Sequence, residues 1–209
     1  MFRNPLVYFL VWFFVLYGLL IFPWPGWNNT YARIFDAMGN LAFSHLGGSC
    51  LVDFHLHETQ HNFTTLSAQI EMTNHAQVDS TGKSPGVQIE VDSRSIGWVP
   101  TALTAALILA SPVPWRRRAW AFALGMVLIN IFIMGSIWVW MWDVGPQIEL
   151  YTFSPFWNEV ADDLVYILIN QLGASFSVPL VIWIFVTFRR SDAAIFDSVR
   201  LFFTKHLAP

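Results

Sequence analysis

Ala119-Trp-Ala-Phe-Ala-Leu-Gly-Met-Val-Leu-Ile-Asn-Ile-Phe-Ile-Met-Gly-Ser-Ile-Trp-Val-Trp-Met-Trp142 holds no charged residue, and Arg116-Arg117-Arg118 stands directly before it. A run of this length matches the ~17–25 residues a helix needs to cross a bilayer. In hydrocarbon a backbone must satisfy its own hydrogen bonds, so a helix is the expected form. Three more apolar runs flank it, at Leu6–Phe22, Trp98–Val113 and Leu164–Phe188. The expected fold class is therefore an α-helical membrane protein with four transmembrane helices and both termini on one side.

Charge placement sets the direction. Arg3, Arg116, Arg117, Arg118, Arg189, Arg190, Arg200 and Lys205 fall on the side of the termini, whereas the other side holds only Arg33, Lys83 and Arg94. That second side carries 12 of the 14 acids, all but Asp192 and Asp197. The positive-inside rule then puts both termini in the cytoplasm of a bacterial inner membrane. Charged residues are only 12% of the chain, about half the usual soluble fraction. The net charge of −3 gives no footprint for nucleic acid. The expected partners are the lipid bilayer and other integral membrane proteins.

This reading divides the chain into a first transmembrane helix (1–23), an exported segment (24–97), a transmembrane hairpin (98–142), an exported aromatic and acidic loop (143–161), a fourth helix (162–188) and a cytoplasmic amphipathic tail (189–209). The first run lacks a small-residue cleavage site, so it reads as a retained helix rather than a leader. Trp24, Trp27, Trp98, Trp115 and Trp142, with the arginines at 116–118 and 189–190, read as interfacial anchors.

Within the exported segment, Tyr31, Ile34, Phe35, Met38, Leu41 and Ala42 recur at helical spacing after the capping residues Asn28-Asn29-Thr30. Alternation of period two then takes over at Val52–His57, Leu66–Thr73 and Val87–Asp92, predicting three antiparallel strands with one apolar face. So small a sheet needs a cover, either that amphipathic helix or a partner protein.

Chemistry is sparse. Cys50 is the only cysteine, which excludes an internal disulfide. As a nucleophile it would need a base or a cation, and His45 and Arg94 are the candidates. The plainer reading is a small buried hydrophobe at a strand start. Asp53, His55 and His57 share one strand face and could ligate zinc or copper; a solvated polar face is the alternative. Asn130, Asn170 and Gln171 are the deepest polar residues of the spans, and with Gly173 they suit helix packing. No cofactor motif is present.

Ser93-Arg94-Ser95-Ile96-Gly97-Trp98-Val99-Pro100 leads into Leu107-Ile-Leu-Ala-Ser-Pro-Val-Pro-Trp-Arg-Arg-Arg118. With the single N-terminal span and the Tyr31–Leu46 helix, this resembles bacterial inner-membrane proteins associated with exosortase systems over about two-thirds of the chain. The resemblance implies a non-enzymatic supporting role in sorting or surface assembly. Exosortases themselves use a membrane-embedded Cys with Arg and His partners. Cys50 lies in the exported segment and departs from that pattern, so the expectation is a non-catalytic accessory subunit. A membrane-bound thiol peptidase using Cys50 and an outer-face metal protein using His55 and His57 are the alternatives.

Overall fold

In the computed structural model, the described residues are 5–22, 24, 26–44, 50–61, 63–78, 84–152, 154–170 and 172–188. His45, Gln171, Arg189, Arg190 and the tail lie outside them.

Helix α1 runs Pro5–Ile21 and α2 Trp27–Phe43. Helix α2 starts three residues before the expected capping triplet's end, so Asn28–Thr30 form its first turn and Thr30 donates back to the Gly26 carbonyl. Strands β1 (Cys50–His61), β2 (Phe63–Asn74) and β3 (Gly86–Val91) form one antiparallel sheet in that order. The three expected strands are present, but β1 and β2 are longer than the alternation suggested. Glu58-Thr-Gln-His61 and Thr64-Thr65 offer no apolar parity to read, although β-branched residues favour extension.

A π-turn at Arg94–Trp98 feeds α3 (Val99–Ala110). Helix α4 spans Trp115–Val144 and passes into a 3-10 turn at Gly145–Ile148. Helix α5 (Pro155–Val165), a π-turn (Tyr166–Asn170) and α6 (Leu172–Thr187) complete the chain. The acidic loop is thus partly helical from Pro155 onward.

Length now separates the apolar runs. Trp115–Ile148 is a continuous 34-residue rod long and apolar enough to cross a membrane. Phe156–Leu168 and Gly173–Thr187 are bent by 73° and make a second crossing only if taken together. The bend falls well before Pro179, which lies inside α6. Leu6–Ile21 and Arg94–Ala110 are shorter apolar helices. Seventeen residues of α1 rise about 25 Å, against a hydrocarbon core of about 30 Å.

Helix α3 packs against α1, α4 and α6 and is the centre of the helical part. Its Ala102, Thr104, Ala105, Ala106 and Ala110 are buried. Small side chains let neighbouring backbones approach, which is the main source of helix association in lipid. On α4, Gly125 faces Ile108 and Thr104, and any side chain there would collide with Ile108.

One core joins the two halves. The α4 residues Ile129, Ile133, Ile137, Met141 and Val144, then Ile148, are buried at helical spacing. They continue into Phe35, Phe43, Val52, Phe54, Ile70, Met72, Ile89 and Val91 between α2 and the sheet. Helix α2 therefore covers the sheet, the first of the two covers that the sequence allowed.

Candidate functional site

The last carbonyls of a helix have no partner within it. At the end of α1 these groups are closed from outside. Trp24 Nε1 donates to Leu19 O at 2.9 Å, Trp98 Nε1 to Leu20 O at 3.0 Å and Arg94 Nη2 to Ile21 O at 3.2 Å. A cation at a helix C-terminus also meets the negative end of the helix dipole, worth about 0.3–1 kcal/mol. Asp92 holds the Arg94 segment in place, accepting from the Arg94 backbone N–H at 3.0 Å and from the Ser95 hydroxyl.

Aromatic rings pack around this junction. Trp98 meets Trp27 edge-on at 5.1 Å between centroids and Tyr31 at 5.2 Å. Tyr31 also crosses Gly97, where a Cβ would strike its hydroxyl end; glycine is the residue that admits the ring. Burial pushes the Tyr31 phenol up to about 12, partly opposed by its hydrogen bond with Thr101.

The sheet is fastened twice more. On its outer strand, Phe54 N–H donates to Asn40 Oδ1 at 2.9 Å and Asn40 Nδ2 donates to Phe54 O at 3.0 Å. The α2 amide thereby satisfies one step of an otherwise open strand edge. At the far end, buried Asn74 donates from Nδ2 to Ile148 O at 3.0 Å, tying β2 to the turn after α4. Tyr151 closes the same turn by donating to Trp142 O at 2.6 Å. Burial above all, then Cys50 and Asp143, pushes the Tyr151 phenol up to about 12.

These ties place the candidate residues. Arg94 is committed to α1. Cys50 is half-buried beside Tyr151, and burial raises its thiol above the ordinary value. Such a shift disfavours the thiolate. His55 Nε2 lies 3.4 Å from Asp53 and 3.8 Å from Glu71 on β2, an acid the sequence reading did not associate with it. His57 lies on the same face. Nearby Asp36 of α2 is raised by burial, with His55 opposing and Asp53 adding. Among the described residues no group of three or more His, Cys, Asp or Glu is arranged to hold a metal ion.

In the helices, Asn130 donates to Met126 O one turn back, within α4. Gly173 faces open space, and the side chain of Asn170 lies outside what the structure describes. Among the described residues, the small side chains of α3 are closely packed. Of the tryptophans expected at the interface, Trp115 is 73% exposed, while Trp24 and Trp98 spend their indole N–H groups on α1.

At the opposite end, Arg118 donates to Ser111 O at 2.8 Å and Val113 O at 3.3 Å. Arg117 donates to Thr187 O at 2.6 Å, at the end of α6. Trp183 reaches the Ser111 hydroxyl at 2.7 Å. Residues 93–100 and 107–118, which carry the exosortase-associated resemblance, are therefore two of the places where helix ends are tied. Comparison with known sequences agrees with that resemblance and extends it. The model of the family described as exosortase H-associated membrane protein matches residues 3–190. No curated protein and no solved structure matches the chain.

Proposed function

Because the chain belongs to the exosortase H-associated membrane protein family, we propose that it is a non-catalytic accessory subunit of a bacterial inner-membrane sorting complex. In this reading it crosses the membrane four times with both termini in the cytoplasm, and residues 24–97 form a periplasmic cap. The arginine-rich end faces the cytoplasm. The observation that carries the reading is the junction of Trp24, Arg94 and Trp98 with the end of α1. It makes cap and helices one body, so a partner held by one part is positioned relative to the other.

The apolar face assigned to partner helices in this reading is on α1. Tyr8, Trp12, Phe14 and Val15 are exposed there, Phe14 at 65%. Lipid alone would tolerate this face, but large aromatics are the side chains that anchor protein contacts.

Solubilisation of the tagged full chain in mild detergent, from cells that make the sorting enzyme, tests the proposal. The exosortase is expected to co-elute at fixed stoichiometry, and Trp12→Ala with Phe14→Ala is expected to reduce its yield severalfold. A well-behaved monomer free of the enzyme overturns the reading.

A further inference from the structure

The three arginines that open α4 do different work. Arg118 and Arg117 are spent on backbone carbonyls, the first within the hairpin and the second on α6. Arg116 is exposed. It stands at one end of an open groove of about 710 Å³, followed along three turns of helix by Trp120, Ala123, Leu124 and Val127, with Val186 of α6 opposite. Arg117 lines the same basic end. Trp120 is 79% exposed and Val127 55%.

We propose that this groove holds one anionic phospholipid, with its phosphate on Arg116 and an acyl chain along Trp120, Leu124 and Val127. The charge order supports this occupant. A cation sits at the helix start and only apolar side chains follow for three turns, which is the polarity of a lipid read from headgroup to tail. Basic pockets between membrane helices are recognised sites for such headgroups. A second copy of the chain would bring like charges together at Arg116. The volume falls within the ~300–1,000 Å³ of ordinary ligand sites. The site requires α4 to lie in a bilayer and requires no protein partner.

Native mass spectrometry of the detergent-purified full chain decides the matter, with dioleoyl phosphatidylglycerol or dioleoyl phosphatidylcholine added separately. One phosphatidylglycerol should be retained in preference to phosphatidylcholine. Arg116→Gln should lower that preference roughly five- to tenfold, the effect of one surface cation on an anionic lipid. Arg116→Lys should keep most of it. Ala123→Trp, which fills the groove and leaves the charge, should reduce retention of both lipids. Equal retention of the two lipids by the unaltered chain overturns the proposal, as does an unchanged preference in Arg116→Gln. Displacement by millimolar inorganic phosphate alone, or a protein dimer in place of the lipid adduct, overturns it too.

Discussion

At the cap end, α1 is finished by donors 73 and 78 residues away, Arg94 on Ile21 and Trp98 on Leu20. At the arginine end, Arg118 closes the α3–α4 hairpin on Ser111, seven residues back. Both ends solve the same problem of orphan carbonyls with side-chain donors. The local tie stabilises a hairpin that short connection already favours. The long-range tie does something a hairpin cannot: it fixes a separate α+β segment to the helices. Arg117 on Thr187, 70 residues apart, gives the arginine end one such link of its own.

The largest test of this contrast lies inside the cap. Phe54 is 2% exposed and stacks on Phe43 at 5.9 Å, with its backbone held by Asn40. Phe54→Ala should cost about 3–5 kcal/mol, the usual range for a buried aromatic. Limited proteolysis of the variant in detergent should cut within residues 50–91 first. The arginine hairpin should stay protected, since its ties are independent of the cap. Simultaneous loss of both ends would show that the shared core, not the local ties, governs stability.

How much of this contrast could be read beforehand depends on the kind of pattern involved. Val52, Phe54, Ile70, Met72, Ile89 and Val91 alternate with polar residues, so the sheet and its buried face were legible. Helix α2 was legible for the same reason at its own period. The inward face of α4 was not. Nearly every residue from 119 to 142 is apolar, so nothing in the pattern distinguishes Ile129, Ile133 and Ile137 from the exposed Ile131 and Val127. Small residues in α3 were the available sign of its central place, because only close neighbours explain so many in one span. Asn40, Asn74 and Arg94 act through partners 14, 74 and 73 residues distant, and no local spacing announces such contacts. The bend before α6 falls between Leu168 and Gly173, where Asn170 and Gln171 interrupt the apolar run.

An intermediate effect comes from cutting the ties themselves. Arg94→Gln and Trp98→Phe each remove a bond to the α1 end, and each should cost about 1 kcal/mol. The two act on adjacent carbonyls, so the double variant should depart from the sum. Arg117→Gln should cost a similar amount, and combined with Arg94→Gln it should be additive. Helix α4 alone separates these ends by about 45 Å, beyond the range of direct coupling. Thermal unfolding of the four variants in one detergent checks the pattern. Strong coupling across the bundle would break the distinction between the ends.

The smallest structural effect is expected at Cys50, and it reads the position of the cap. Cys50 is only half-buried and makes no strong bond, its sulfur lying 4.0 Å from the Leu51 carbonyl. Cys50→Ser should therefore change stability by no more than about 0.5–1 kcal/mol and leave complex formation intact. Its protonation is the sharper probe. Thiolate is the reactive form, and burial raises the Cys50 thiol above the ~8.5 of a free cysteine. Alkylation by a membrane-impermeant maleimide should then be slower than for a free thiol at pH 8. Its rate should keep climbing above the pH where the free thiol levels off. In spheroplasts the reagent should reach Cys50 without opening the membrane, because the proposed cap is periplasmic. Fast labelling already at neutral pH would mean a lowered thiol and revive a nucleophilic role. Labelling only after lysis would invert the orientation and put the arginine end outside, against the charge rule that assigned it.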